Sequence, residues 1–292
     1  MITQAHIQNF RCLLDVDLSF EPMTILVGPN ASGKSSILDA FSQVLDASNG
    51  WRNKVNPHVN VSRDSGPHSP RDQLGLQVQP LHLDVRLLRN ENQLQAAARL
   101  DQHGSNLSNV FATLSRVQRG EVAERLAELV PMYRDVDTRP SSAGRHRLVF
   151  QDRWDSSVWH EPHNVSDGTM LLLAFLLLQY QQPPPELITI EEPERALHPY
   201  LVGELIGRLR RLATGKLGPR AIQVVLATHS AELLEFAEPR EVRFISRRQS
   251  DGATQIEIAP TETQDWANAV KEYQGSLGGL WLSGSLGGVP GG

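Results

Sequence analysis

The sequence predicts an α/β fold in which a mixed, largely parallel sheet is flanked by helices. The apolar run Met23–Val27 is typical of a strand buried on both faces. From Lys34 the hydrophobic period changes, and apolar residues recur on one face of a helix. Residues 169–245 then alternate apolar helices with short buried strands. This βαβ alternation favours parallel strands covered by helices.

Each remaining element is predicted from its own hydrophobic pattern. Strands are expected at 5–10 and 16–20, where apolar and polar residues alternate. Residues 48–75 are rich in Asn, Ser, Pro, Gly and Arg, which favours a long loop or insertion. The other predictions are a half-exposed strand at 81–87, a helix at 106–130 that Gly120 could interrupt, strands at 145–150 and 158–161, and a loop-like tail from Leu277 pinned by Leu280, Trp281 and Leu282.

An inserted α+β lobe is predicted to separate two halves of one core. The predicted division places the first half of the core in residues 1–50, the inserted lobe in 51–162, the second half in 163–260, and a C-terminal helix with a Gly-rich tail in 261–292.

Composition and charge exclude some classes of protein. The 292 residues carry a net charge of −5, so the chain as a whole lacks the basic character of a nucleic-acid binder. A single cysteine, Cys12, rules out an intrachain disulfide. The longest apolar run, Met170–Leu178, is far shorter than the roughly 20 residues that span a bilayer, and indicates a buried helix. The N-terminus lacks the pattern of a signal peptide, so we expect a cytoplasmic protein without membrane contacts.

A phosphate-binding loop follows the first buried strand. The segment from Gly28 to Ser35 fits the eight-position P-loop pattern and lies between a predicted strand and a predicted helix. Backbone N–H groups and the helix N-terminus would bind the phosphates of ATP, Lys34 would reach the β- and γ-phosphates, and the Ser35 hydroxyl would bind Mg²⁺. The residues predicted to bind the nucleotide here are Gly28, Pro29, Asn30, Ala31, Ser32, Gly33, Lys34, Ser35 and Ser36.

Two carboxylates end a second buried strand, Leu187–Ile190. After a P-loop, such a pair is typical of a Walker B element. Glu191 is predicted to hold Mg²⁺ directly or through water, and Glu192 to polarise the attacking water. Asp is usual at the first position, and Glu191 is one methylene longer.

Two further segments carry polar groups at predicted element ends. His229 follows the strand 222–227, where it would face the ligand side of a parallel sheet and could sense the γ-phosphate; a purely structural histidine is the alternative. Ser166, Asp167 and Gly168 precede an apolar helix, where they could cap the helix or face a phosphate.

Together these motifs resemble the ABC-type ATPases of the RecF, structural-maintenance-of-chromosomes (SMC) and OLD-nuclease group, and most closely its small stand-alone bacterial AAA_21-like members. The resemblance rests on residues 7–11, 26–40 and 191–199 and on Thr228–Ser230. It implies a P-loop NTPase with an ABC-ATPase head fold. It also implies that Ser166, Asp167 and Gly168 act as a signature segment on the ATP of a partner subunit, although the usual Leu-Ser-Gly-Gly-Gln is altered here.

The resemblance implies further roles. Residues Arg195 to His198 would form the D-loop at a dimer interface, and His229 would be the switch histidine. A Q-loop glutamine is expected between the two halves, with Gln73, Gln77 and Gln79 as candidates. No paired-cysteine hook or long coiled coil is evident, and the sequence after His229 lacks the acidic pattern of a Toprim nuclease domain.

The function implied is Mg²⁺-dependent ATP hydrolysis by a homodimer that closes around ATP. Its output would be DNA engagement, control of a separate nuclease-like (Toprim-type) partner, or both, in DNA repair or phage defence. The alternative is an ATP-dependent scaffold that does not hydrolyse. A nuclease activity of the chain itself is not favoured, since no second acidic metal cluster is evident. DNA binding stays open: Arg-rich clusters lie at 208–220 and 139–153, and solvated surfaces would explain either.

Overall fold

A six-stranded sheet forms the centre of the protein in the computed structural model, which describes residues 1–44, 58–63, 76–141 and 144–284. All neighbouring strands are parallel except at one edge, where the last strand runs antiparallel. From that edge the strands are β13 (Thr254–Ile258), β12 (Val242–Arg247), β3 (Met23–Val27), β11 (Gln223–Thr228), β10 (Leu187–Glu191) and β5 (Val78–Leu81).

The central sheet is buried on both faces. Along β11, Val224 and Leu226 belong to one hydrophobic cluster, whereas Val225 and Ala227 belong to a second. This alternation follows from the two-residue period of a strand. The continuous apolar run of each central strand therefore covers two cores, as the sequence predicts.

Helices cover the two faces of this sheet. The helices of the core are α1 (Lys34–Val44), α2 (Val85–Leu88), α5 (Asp167–Leu177), α6 (Pro199–Ala213), α7 (Ala231–Leu234), α8 (Gln264–Glu272) and α9 (Leu277–Leu282). Every residue of α5 from Gly168 to Leu177 is buried, which confirms that the longest apolar run is a core helix. Within the described part of the chain, no helix is both long and apolar enough to cross a membrane.

A second sheet packs with α1 against one face of the central sheet. It consists of β1 (Ile2–Phe10), β2 (Leu13–Ser19) and β4 (His58–Arg63), all antiparallel. The strand β4 falls inside residues 48–75, where a long loop or an insertion is predicted, so a loop is wrong for 58–63. The other residues of that stretch, 48–57 and 64–75, lie outside the described residues.

An antiparallel lobe with its own helices lies between the two halves of the core. Its strands are β6 (Asn92–Gln93), β7 (Tyr133–Pro140), β8 (Arg145–Asp152) and β9 (Trp159–His160), and its helices are α3 (Leu107–Thr113) and α4 (Arg116–Leu129). The central sheet and this lobe together confirm the predicted fold class. The domain boundaries at 50, 162 and 260 stay predictions, and β4 and β5 pair with core strands.

Three local predictions differ from the structure. The strand predicted at 81–87 ends at Leu81, because Asp84 accepts a hydrogen bond from Arg86 N at 2.8 Å and caps α2. The helix predicted at 106–130 breaks at Ser115, whose capping box starts α4, and not at Gly120. Within the predicted tail, Leu277–Leu282 form helix α9, and its buried Leu280 and Trp281 attach it to the core. The predicted anchor Leu282 is wrong, since that side chain is 59% exposed, and residues 285–292 lie outside the described residues.

Candidate nucleotide-binding site

The P-loop connects β3 to the first turn of α1. The nucleotide-binding residues predicted from Gly28 to Ser36 all lie in this loop or in the first turn of the helix. Ala31 and Gly33 adopt positive φ angles of 61° and 116°. Backbone in this conformation turns successive N–H groups towards one point and forms an anion-binding concavity. The loop therefore fits a phosphate chain.

Two glycines of the loop have no room for a side chain. A Cβ on Gly28 would lie 2.1 Å from the carbonyl oxygen of Ile245, and one on Gly33 would lie 2.3 Å from Thr254 Oγ1. Thr254 Oγ1 also donates a 3.0 Å hydrogen bond to the Ser32 carbonyl oxygen. The β12–β13 edge of the sheet thus supports the loop from behind.

Lys34 folds back over the loop. Its Nζ donates hydrogen bonds to the carbonyl oxygens of Gly28 (2.7 Å) and Pro29 (2.8 Å). Burial lowers the pKa of Lys34, and the nearby carboxylates of Glu192 and Glu191 oppose that shift. The ammonium group is therefore close to both the phosphate loop and the acidic end of β10.

The acidic end of β10 lies directly opposite the start of α1. The Ser35 hydroxyl donates a short hydrogen bond to Glu191 Oε1. The second carboxylate oxygen, Glu191 Oε2, lies 2.7 Å from His82 Nδ1. The hydrogen bond from His82 is the main cause that lowers the pKa of Glu191, and the same bond raises the pKa of His82.

This pair of oxygens fits a magnesium ion. A hydroxyl and a carboxylate that already share one proton offer two hard oxygen ligands at one point, and Mg²⁺ is commonly bound by one or two such groups together with phosphates and water. Among the described residues, no group of three or more His, Cys, Asp or Glu side chains could form a cage for a metal ion. Ser35 and Glu191 would therefore hold Mg²⁺ only jointly with a nucleotide.

Glu192 adopts a positive φ angle of 47° just after the strand, and its backbone N–H donates to the Ala227 carbonyl oxygen at 2.8 Å. Its Oε1 lies 3.0 Å from Nδ1 of His229, which follows the neighbouring strand β11. The structure therefore brings Glu192 and His229 together at the same sheet edge as the P-loop. A carboxylate beside an imidazole can accept a proton from water and share it.

Glu194 is a third carboxylate at this edge that sequence reasoning did not single out. Its Oε1 accepts a 2.5 Å hydrogen bond from Thr228 Oγ1, while its buried Oε2 has no partner among the described residues. Burial raises the pKa of Glu194. The side chain ties the segment after β10 to the strand that carries His229.

Neither of the two described candidates for the Q-loop glutamine, Gln77 and Gln79, has a side-chain bond to the P-loop or to Glu191. Gln79 is buried and bonds with Gln181 and the Leu100 carbonyl oxygen, and Gln77 accepts from Arg99. Gln73 lies outside the described residues. Instead His82, just past the end of β5, contacts the Walker B carboxylate. Sequence reasoning missed His82 because the register of β5 against β10 cannot be read from the chain alone.

The signature segment starts helix α5. Ser166 accepts a hydrogen bond from Thr169 N at 3.2 Å, and Asp167 Oδ1 lies 2.7 Å from Arg89 Nη2. A Cβ on Gly168 would lie 2.6 Å from the Ala196 carbonyl oxygen. The helix-capping role is thus present. Among the described residues, Ser166 bonds to Thr169 of the same helix, Asp167 bonds to Arg89 just after α2, and neither side chain bonds to the P-loop.

A cleft of about 850 Å³ is lined by residues of both segments. Glu191 and Glu192 line it at the end of β10, Asp167 at the start of α5, and Arg89 just after α2. The cleft of one chain therefore contains one residue of the signature segment together with the carboxylates of the Walker B end.

The sequence matches two known protein families. A family described as "AAA domain, putative AbiEii toxin, Type IV TA system" matches residues 71–235, which is more than half of the chain. The chain belongs to this family. A second family, described as "AAA ATPase domain", matches residues 1–97 of the same AAA chain. Membership implies nucleotide binding, and it confirms the resemblance carried by the motifs.

One curated relative matches a short part of the chain. The OLD nuclease of Thermus scotoductus (strain ATCC 700910 / SA-01) is 49% identical over 45 residues. This match covers 15% of the AAA chain and 8% of the nuclease, so the chain spans only a small part of that relative.

Solved SMC head domains share the fold. The SmcHead bound to the C-winged helix domain of ScpA has a TM-score of 0.59 at 15% identity, covering 88% of this chain and 96% of that one. The Smc head with an extended coiled coil, bound to the C-terminal domain of ScpA derived from Pyrococcus furiosus, has a TM-score of 0.58 at 13% identity, covering 94% and 99%. The AAA chain thus shares the fold of SMC head domains.

Proposed function

We propose that this AAA chain hydrolyses ATP with Mg²⁺ and works as a homodimer that closes around two ATP molecules. The observation that carries the proposal is the contact of Ser35 with Glu191 beside the pair Glu192–His229. These four side chains come from three elements that meet at one sheet edge around the P-loop. Lys34 and the loop N–H groups would bind the triphosphate.

Each residue of the site has a distinct role in this proposal. When bound, Mg²⁺ would neutralise charge on the phosphates, held by Ser35 and Glu191. Glu192 would orient a water molecule and accept its proton, and His229 would stabilise that proton through the 3.0 Å contact. Glu194 would hold the two strand ends in register through Thr228.

The cleft supports a site completed by a second copy of the chain. Asp167 lines the same cleft of about 850 Å³ as Glu191 and Glu192 of its own chain, and among the described residues its side chain bonds to Arg89 and not to the P-loop. The N-terminus of α5 would therefore be offered to ATP on a partner, with the segment from Arg195 to His198 at the interface. Two copies would each complete the site of the other.

The output of the switch is proposed to be DNA engagement, control of a separate nuclease-like partner of the Toprim type, or both, in DNA repair or phage defence. The match to an OLD nuclease favours the nuclease connection. Direct DNA binding has less support, because Arg147 and Arg210 of the two basic clusters pair with Glu161 and Glu241. An ATP-dependent scaffold is the second candidate, favoured by the acidic signature.

Phosphate release measured on the wild type tests the enzymatic claim. Magnesium-dependent release that Glu192→Gln abolishes, with ATP binding retained, would support it. Equal ATP binding by both proteins without any release would favour the scaffold instead. A pull-down with Glu192→Gln and ATP, scored separately for DNA and for protein partners, then identifies the output.

A further inference from the structure

The Walker B carboxylate of this protein is held at both oxygens. Glu191 Oε1 accepts from the Ser35 hydroxyl, and Glu191 Oε2 lies 2.7 Å from His82 Nδ1. Because a carboxylate can only accept, the Nδ1 atom of His82 must carry the proton of that bond. One oxygen thus faces the predicted metal ligand Ser35, and the other is occupied by the imidazole.

The length of Glu191 makes such a support necessary. A glutamate has one more rotating bond than an aspartate, and its carboxylate lies about 1.5 Å farther from the strand. A longer side chain reaches more positions and is less well fixed by its backbone alone. A hydrogen bond from the opposite side restricts it to one position.

His82 is itself fixed in place. Its backbone N–H donates to the Gln102 carbonyl oxygen at 2.8 Å, and its own carbonyl oxygen lies 3.0 Å from His103 Nδ1. The preceding residue, Leu81, pairs in register with Ile190, so residues 82 and 191 follow that pair side by side. The side chain of His82 is only 23% exposed. The imidazole of His82 is therefore held next to the carboxylate of Glu191.

We propose that His82 is a positioning residue, which holds the carboxylate of Glu191 against Ser35 and so determines how tightly the ATP site binds its divalent cation. This inference rests on the proposed function, because it needs a metal–nucleotide complex in the P-loop. The imidazole acts through the carboxylate and does not contact the metal. Hydrogen-bond partners of metal-binding carboxylates commonly contribute about 10- to 100-fold to metal affinity.

Manganese binding tests this role without relying on turnover. The Mn²⁺ affinity of the complex with a non-hydrolysable ATP analogue is measured by electron paramagnetic resonance, and binding of the analogue in EDTA is measured separately. His82→Ala is expected to weaken Mn²⁺ binding about 10- to 100-fold and to leave metal-free binding unchanged. His82→Gln, which keeps a donor, should recover most of the loss. His163→Ala is the matched control, because that side chain is 70% exposed and pairs with Glu161, away from Glu191 in the sequence and in its bonding.

A second variant tests whether His82 acts through Glu191. In Glu191→Asp the shorter side chain cannot reach both partners, so adding His82→Ala should weaken Mn²⁺ binding by less than about twofold more. Independent, additive losses would overturn the inference, as would equal Mn²⁺ affinity in His82→Ala and wild type. An equal loss of metal-free binding would overturn it too, because His82 would then act on the loop. Absence of any Mn²⁺–nucleotide binding in the wild type would overturn the proposed function as well.

Discussion

Glu192 Oε1 lies 3.0 Å from His229 Nδ1, across two neighbouring parallel strands whose ends carry these side chains. The contact depends on the register of β10 with β11, which pairs Glu191 with Ala227. Two residues that lie far apart in sequence thus form one unit next to the P-loop. The pairing is suited to accept and hold a proton during attack by water.

Glu192→Gln should lower ATP turnover by about 10²- to 10⁴-fold, because the amide cannot accept the proton of the attacking water. ATP affinity should be unchanged, since the phosphate loop is intact. Phosphate release and binding of a fluorescent ATP analogue give the two readings. Glu257→Gln, at an exposed position on β13, is the control and should hydrolyse at the wild-type rate. Turnover by Glu192→Gln at the wild-type rate would show that Glu192 does not accept the proton of the attacking water.

Gly33→Ala should destabilise the protein and abolish nucleotide binding. The backbone has φ of 116° there, and the new Cβ would lie 2.3 Å from Thr254 Oγ1. Strain of this kind costs about 1–3 kcal/mol. Gly120→Ala is the matched substitution in helix α4. An added Cβ there would meet no atom within 4 Å outside the helix's own backbone, so the substitution should raise the free energy of unfolding by about 0.5–1 kcal/mol. Chemical denaturation of both variants checks the signs, and a neutral Gly33→Ala would contradict the loop geometry.

Glu194→Gln should change how stability depends on pH. Burial raises the pKa of Glu194 above its ordinary value of 4.5, so the folded protein holds this proton more tightly than the unfolded chain. The wild type therefore loses stability as pH rises from 4.5 through the raised pKa, and the glutamine variant does not share this loss. The difference in free energy of unfolding should shift in favour of Glu194→Gln as the pH rises above 4.5 and through the raised pKa. A difference that is constant over this range would show that Glu194 ionises normally.

The sequence is sufficient to predict those parts of the site that follow directly from local patterns. The P-loop and its flanking strand and helix are contiguous, and Glu191, Glu192 and His229 each end a buried apolar strand. Parallel strands bring their carboxyl ends to the same edge, so these side chains are expected near Lys34 from the order of strands and helices alone.

What the sequence does not predict depends on packing between distant segments. His82 lies in a stretch whose alternation of Leu81, Leu83 and Val85 resembles a strand, yet a side-chain cap at Asp84 ends the extended backbone. Strand β7 is rich in charged residues and is stabilised by pairing with β8, so its own pattern gives no signal. Which glutamine or histidine faces Glu191 is decided by strand register.

Complementation between two inactive variants tests most directly whether two chains share one ATP site. Lys34→Ala should prevent ATP binding to its own P-loop, and Ser166→Arg, at an exposed position, should block the signature segment. Each variant alone should be inactive. In a mixture, the heterodimer has one complete site, formed by the P-loop of the Ser166→Arg chain and the signature segment of the Lys34→Ala chain. Random pairing predicts recovery of roughly a quarter of the wild-type rate. A mixture that releases phosphate no faster than the two variants apart would contradict a site shared between two chains.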